Sequence, residues 1–128
     1  MHETTVDLSI VIPVYNEEES LDELISQLTE VLNATRRTYE LVFVDDGSRD
    51  RSLDILKNYA DQRPNIVIVQ QRNNFGKSAA LMAGFHVARG DVVITMDADL
   101  QDEPQEIPTL LAKLDEGYDV VTGQRENR

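Results

Sequence analysis

Asp97 and Asp99 flank a single alanine in Thr95-Met96-Asp97-Ala98-Asp99-Leu100-Gln101-Asp102, directly after the apolar run Val92-Val93-Ile94. Such a run reads as a buried parallel strand. The acid pair then stands at its carboxyl end, the edge of an open α/β sheet where ligands bind. Two carboxylates held close raise each other's pKa unless something positive joins them. A hard divalent cation, Mg²⁺ or Mn²⁺, removes that conflict and can hold the phosphates of a ligand. An isolated acid pair in a polar turn is more often a solvated loop, so the case rests on the other strand ends.

Two of them carry related chemistry. The first apolar run ends in Pro13-Val14-Tyr15-Asn16-Glu17 and the second in Asp45-Asp46-Gly47-Ser48. Acids at one such end are commonly helix caps. Three ends together, with an aromatic at one, a second acid pair at another and a glycine for a tight turn, fit a nucleotide pocket better. Tyr15 can stack on a base. A carboxylate from Asp45 or Asp46 can accept a hydrogen bond from a ring N–H, which uracil and guanine offer and adenine does not. The Asp97 and Asp99 side then suits a metal-bound diphosphate.

The elements that must position these residues alternate between short apolar runs and helical stripes. Leu8 to Val14 reads as a first strand. Leu21, Leu24, Ile25, Leu28, Val31 and Leu32 follow at helical spacing, with Asn16 as the expected N-cap and Glu19 completing a capping box. Leu41 to Val44 is a second strand, and Ser48 is expected to cap a helix carrying Leu53, Leu56 and Tyr59. Ile66 to Val69 is a third strand, followed by an Ala-rich helix from Lys77 to Ala88. Val92 to Met96 is the fourth strand. A helix with Pro104 and Pro108 at its start carries Ile107, Leu110, Leu111 and Leu114, and Val120 and Val121 belong to a fifth strand. This order predicts one α/β domain, an open and mostly parallel sheet with helices on both faces. The three strand ends share a pocket only if the strand order reverses beside the first strand, so strands one and four are expected to be neighbours.

Ser9-Ile10-Val11-Ile12-Pro13-Val14-Tyr15-Asn16-Glu17, Val44-Asp45-Asp46-Gly47-Ser48 and Asp97-Ala98-Asp99-Leu100-Gln101-Asp102 together resemble the signature of family 2 glycosyltransferases, of Rossmann-like GT-A fold. Arg72-Asn73-Asn74-Phe75-Gly76-Lys77 and Gly123-Gln124-Arg125 are similar to the branch that contains dolichyl-phosphate mannosyltransferase and the bacterial polyprenyl-phosphate hexosyltransferases. The resemblance implies that Pro13, Tyr15, Asn16 and Glu17 line the nucleoside site and that Asp46 reads the base, with Asp45 beside it. It implies that Asp97 and Ala98 meet the donor's ribose or diphosphate, or that Asp97 shares the metal. Asp99 would be the main metal ligand and Gln101 an additional one. Arg125 corresponds to a phosphate-contacting Arg, Arg128 is a second candidate for the acceptor phosphate, and Lys77 matches a recurrent basic position. Asp97, Asp99 and Arg125 would form the catalytic set.

The implied activity is metal-dependent, inverting transfer of a hexose from a UDP- or GDP-sugar, with Mg²⁺ or Mn²⁺ offsetting the charge of the departing diphosphate. A polyprenyl phosphate is the expected acceptor. Its second pKa near ~6 leaves it largely anionic at neutral pH, so it needs positioning by Arg more than a general base. A hydroxyl acceptor, as in polysaccharide synthesis, would need a base that these residues do not obviously supply.

With 128 residues, 41% hydrophobic and 28% charged, the chain is globular and buries roughly two-thirds of its unfolded surface. A formal charge of −12 excludes nucleic acid as a partner, since binding it needs a basic face. The absence of Cys excludes disulfides and thiolate metal sites. No run approaches the ~20 apolar residues of a transmembrane helix, and the polar start predicts no signal peptide. The chain is expected to be the nucleotide-sugar-binding part of a domain truncated at its C-terminus. Its place is cytoplasmic, at the cytoplasmic membrane face in the full-length protein, with membrane association through segments absent here. As a fragment it is expected to bind donor with little transfer.

Readings from other classes stay open. Gly76-Lys77-Ser78 is similar to the end of a P-loop, but Gln71 stands where that motif needs a glycine. The Asp45-Asp46 pair is similar to that of receiver domains, where the pair ends the first strand rather than the second. A non-catalytic nucleotide-binding domain is also compatible with these residues.

Overall fold

The structure is a computed structural model that describes residues 5–99 and 104–115. The chain forms β1 (Val6–Val14), α1 (Leu21–Thr35), β2 (Tyr39–Asp46), α2 (Ser52–Gln62), β3 (Ile66–Gln71), α3 (Lys77–Val87) and β4 (Gly90–Thr95), then a 3-10 turn (Pro104–Glu106) and α4 (Ile107–Asp115). The four strands pair in the order β3-β2-β1-β4, all parallel. The chain moves outward from β1 to β2 and β3, then crosses back to lay β4 on the other side of β1. That reversal opens a crevice at the carboxyl ends of β1 and β4, where α/β sheets bind ligands. The adjacency of the first and fourth strands is as the converging strand ends require. The expected fifth strand around Val120 and Val121 lies outside the described residues.

Strand alternation sends successive side chains to opposite faces. Leu8, Ile10 and Ile12 of β1 and Leu41 and Phe43 of β2 pack with Leu24 and Leu28 of α1, Leu56 of α2 and Leu111 of α4. Val11, Val42 and Val44 pack on the other face with Ala80 of α3. Both faces of the central strands are thus covered, which is why their sequences run apolar without alternation. α3 lies close to the sheet because position 84 is glycine: a Cβ there would stand 2.4 Å from Val11 Cγ1.

Two helix starts differ from the sequence reading. α1 begins at Leu21 behind Ser20, not behind Asn16, whose φ is +55°. Asn16 is recruited elsewhere, its Oδ1 accepting from the Arg49 backbone N–H at 2.8 Å. Ser48 does not cap α2 either. Its hydroxyl accepts from the Asn16 N–H at 2.9 Å, while Asp50 Oδ1 takes the Ser52 N–H at 2.8 Å at the start of that helix. Both residues have the chemistry of a cap, and both spend it on joining two loops.

Candidate functional site

Those two loops, β1–α1 and β2–α2, clasp one another through reciprocal side chain to backbone bonds. The Glu17 N–H donates to Ser52 Oγ at 2.8 Å, the Arg51 N–H to Glu18 Oε1 at 2.9 Å and the Glu18 N–H to Asp50 Oδ2 at 3.2 Å. Ser20 adds the third strand end: its hydroxyl donates to the Ala98 carbonyl at 2.8 Å. The first, second and fourth strand ends are therefore tied into one rim.

Within the rim lies a cavity of about 350 Å³, in the range of small-ligand pockets. Pro13 of β1 lines it with Tyr15 and Glu17 of the loop that follows, and Asp46 lines it from the end of β2. Lys77 lines it from α3, and Asp97, Ala98 and Asp99 close the β4 side. Tyr15 is exposed at 40%, leaving its ring open to a stacking partner. Asn16 stands apart, in an adjacent acidic recess with Glu18, Asp50 and again Asp99. Gln101, Arg125 and Arg128 lie outside the described residues.

Asp45 and Asp46 part company. Asp46 belongs to the row of Val42 and Val44 and meets the loop that leads into α3. Its Oδ1 accepts from the Phe75 N–H at 2.9 Å and its Oδ2 from the Gly76 N–H at 3.0 Å. Each carboxylate oxygen still has a second lone-pair direction for a ligand. Asp45 faces the other way, is buried, does not line the cavity, and accepts from the Ser48 N–H at 3.2 Å. Its second oxygen is buried without a hydrogen-bond partner among the described residues.

Asn74 and Gly76 also line the cavity, though sequence reasoning gave them no place in it. Both stand in the run Arg72–Lys77, which in the sequence carries the resemblance to the polyprenyl-phosphate branch without assigning Asn74 or Gly76 a role. Gly47 holds that loop in place. At φ +77° it accepts a conformation L side chains resist, and a Cβ would stand 2.7 Å from the Asn73 carbonyl carbon. Gly47→Ala is expected to cost about 1–3 kcal/mol of stability and to weaken ligand binding as the loop retreats. Urea unfolding midpoints of the two proteins measure the first part. An unchanged midpoint would mean that the turn relaxes without strain.

The electrostatics of the cavity are uneven. Lys77 Nζ lies 2.7 Å from Asp97 Oδ1. Glu17 sits among like charges: burial foremost, then Asp99, Asp50 and Asp97, push its carboxyl above its ordinary 4.5, against the lowering bond from Ser20. A raised carboxyl pKa means that ionisation costs folding energy. Its stabilising share is complete below about pH 4.5 and is lost as the pH rises through the raised value. A cation in the cavity would relieve that repulsion at neutral pH. The donors at hand are carboxylate oxygens, the type that Mg²⁺ and Mn²⁺ take. Among the described residues no three His, Cys, Asp or Glu side chains gather as a complete ligand set. Mg²⁺ is commonly held by one or two carboxylates with phosphate and water supplying the rest, and Asp97 and Asp99 could supply such carboxylates.

Comparison with known proteins gives a consistent result. Residues 9–128 match the profile of Glycosyl transferase family 2. The chain is 52% identical, over 122 residues, to an undecaprenyl-phosphate 4-deoxy-4-formamido-L-arabinose transferase from Pseudomonas fluorescens, covering 94% of this chain and 36% of that protein. It thus spans about a third of the length of the curated relatives it matches. TarS from S. aureus in complex with UDP-GlcNAc superposes with a TM-score of 0.68 at 26% identity, over 86% of this chain and 31% of that one. A Pyrobaculum calidifontis mannosyltransferase in complex with GDP-Man and Mn²⁺ shares the fold, with a TM-score of 0.63 at 24% identity over 75% of this chain and 28% of its own.

Proposed function

Because this chain belongs to glycosyl transferase family 2, we propose that it forms the donor-binding part of an inverting, metal-dependent glycosyltransferase that moves one sugar, a hexose or a pentose such as an arabinose derivative, onto a polyprenyl phosphate. The donor is a UDP- or GDP-sugar, and the place of action is the cytoplasmic face of a membrane. One observation carries this reading. Tyr15, Asp46, Lys77, Asp97 and Asp99, drawn from three strand ends and a helix start, line a single cavity at the sheet's reversal point. The undecaprenyl-phosphate substrate in the relative's name supports the acceptor, and the UDP-GlcNAc complex of TarS supports the donor class. No helix among the described residues is long and apolar enough to cross a membrane.

In this reading Tyr15 stacks on the base and Asp46, held by the Phe75 and Gly76 N–H groups, accepts its ring N–H. The diphosphate lies between Lys77 and the acid pair. A divalent cation bound at Asp99, with Gln101 as a further ligand, would stabilise the charge that grows on the leaving group. Lys77 offers a second positive charge on the same side. Arg125 and Arg128 are proposed to receive the acceptor phosphate, since Arg matches phosphate with paired N–H donors.

The test is binding of UDP, GDP and ADP by calorimetry, with and without Mn²⁺. UDP or GDP is expected to bind about tenfold to a hundredfold more tightly than ADP. Adenine would set its bare ring nitrogen against Asp46, leaving two acceptors facing each other at roughly 1–3 kcal/mol. Equal affinities for the three would refute the base assignment.

A further inference from the structure

Among the described residues four carboxylates and one ammonium line the cavity: Glu17, Asp46, Asp97 and Asp99 against Lys77. The ammonium is committed. Lys77 Nζ lies 2.7 Å from Asp97 Oδ1, with the lysine side chain half exposed and the carboxylate a third exposed. The pair ties the start of α3 to the segment that follows β4. A hard cation seeks the same carboxylate oxygens, so the ion pair takes up part of what a metal would use.

The helix sets Lys77 against its own position. It is the first residue of α3, where the dipole disfavours a cation and favours an anion, and no acid in that first turn offsets it. Its backbone is fixed nonetheless. Asp46 accepts the Phe75 and Gly76 N–H groups at 2.9 and 3.0 Å, and the Gly76 carbonyl accepts from the Ala80 N–H at 3.1 Å. Lys77 thus has an anchored backbone and a flexible four-carbon stem, so its ammonium can change partners without moving α3.

We propose that Lys77 and a divalent cation compete for Asp97, and that a diphosphate settles the competition by drawing the ammonium to itself. Two cations on one carboxylate repel each other, and more strongly in a cavity than in bulk water. Metal alone must displace the ammonium against that repulsion. A diphosphate offers the ammonium a new anionic partner beside the old one, in a charge-assisted bond at the helix end that favours anions. Metal and nucleotide then strengthen each other's binding, and by linkage the factor is the same in both directions. The cavity in this way favours a donor that arrives with its metal over either one alone. The inference deepens the donor reading and rests on it, since a diphosphate is what relocates the ammonium.

The experiment measures Mn²⁺ binding to the 128-residue chain without nucleotide, by electron paramagnetic resonance of the free ion, and UDP and GDP binding at saturating Mn²⁺ by calorimetry. Lys77→Gln is expected to bind Mn²⁺ alone about fivefold more tightly, the scale of a partly exposed ion pair. The same variant should bind UDP or GDP about tenfold more weakly, through loss of a hydrogen bond from a charged donor. The opposite signs are the signature. A lysine that served only the diphosphate would change the second affinity and not the first, and one that merely supported α3 would lower both. Lys77→Arg keeps the charge and should keep the native Mn²⁺ affinity. Arg72→Gln, exposed on the preceding loop and outside the cavity lining, should leave that affinity unchanged. Circular dichroism reports the fold of each variant. No gain in Mn²⁺ affinity in Lys77→Gln, or an equal gain in Arg72→Gln, would overturn the inference. A native chain that binds neither UDP nor GDP with Mn²⁺ would sink the donor reading, while a Mn²⁺ gain in Lys77→Gln would still uphold the competition for Asp97.

Discussion

Asp99→Asn is expected to weaken Mn²⁺-dependent UDP or GDP binding about a hundredfold while leaving the fold intact. The amide keeps the shape of the carboxylate but removes the charge a hard cation prefers. One unit-charge pair at 4 Å is worth about 4 kcal/mol at an effective dielectric near 20, which sets an upper bound. Desolvation and competing ions reduce this to about 2–3 kcal/mol, and each 1.4 kcal/mol is a factor of ten. Asp99 is exposed, lines both the cavity and the acidic recess, and supports no core packing, so stability should not move. Calorimetric titrations with Mn²⁺ and with EDTA separate the two contributions, and circular dichroism checks the fold. With EDTA the native protein should fall to about the affinity of the variant. Equal metal-dependent affinities would show that the acid pair is only a solvated turn.

A loss of comparable size, in stability rather than binding, is expected from Glu40→Ala at the opposite end of the sheet. Glu40 is fully buried, and both of its carboxylate oxygens accept hydrogen bonds. Its Oε2 accepts from Ser9 Oγ at 2.6 Å and from the Arg89 N–H at 2.7 Å, and its Oε1 from Arg89 Nε at 3.2 Å. Ser9 Oγ in turn accepts from the Gly90 N–H at 2.8 Å. One carboxylate thus joins the amino ends of β1, β2 and β4, the three strands whose carboxyl ends form the cavity. Removing it leaves the buried Ser9 O–H and the Arg89 backbone N–H without an acceptor, although Ser9 Oγ still accepts from Gly90. Arg89, partly exposed, can turn its guanidinium to water, so the cost stays below that of a stranded buried charge. About 2–4 kcal/mol is expected, which lowers Tm by about 10 °C in a chain of this size. Glu40→Gln keeps one acceptor and should fall between the two. Thermal unfolding of the three proteins decides the matter, and a variant as stable as the native chain would mean that water replaces the carboxylate at no cost. Donor affinity of the folded fraction should be unchanged, because the network lies a sheet length from the cavity.

Local chemistry carried the strand runs, the acid pairs at their ends and, through the need for those ends to converge, the adjacency of β1 and β4. Burial on both sheet faces imposes uninterrupted apolar runs, and a run of four to six such residues leaves little else for the chain to do. The clasp between the β1–α1 and β2–α2 loops was not legible in the same way. Asn16, Ser48 and Asp50 all have cap chemistry, and a sequence shows that a side chain can bond a backbone N–H without showing whose. Here the partners are more than 30 residues away for Asn16, because the two loops are brought side by side by strand pairing.

The same limit divides Asp45 from Asp46. Alternation along a strand says that two neighbours face opposite sides, but not which side holds the cavity. The crossover that places α3 on the Val42 and Val44 side puts Asp46 against the Phe75 and Gly76 N–H groups and sends Asp45 into the other layer. Glu40 is a further case, a charged residue at a strand start that no local pattern marks as buried and that Ser9 and Arg89 satisfy in the interior. What the sequence alone determined is what depends on nearest neighbours: apolar period, strand ends and the types of their side chains. What only tertiary structure decided are contacts spanning some 30 to 80 residues, such as Ser20 to the Ala98 carbonyl and Glu40 to Arg89. Their energy comes from pairing polar groups in a dry interior, and no local pattern records which groups the packing will leave together.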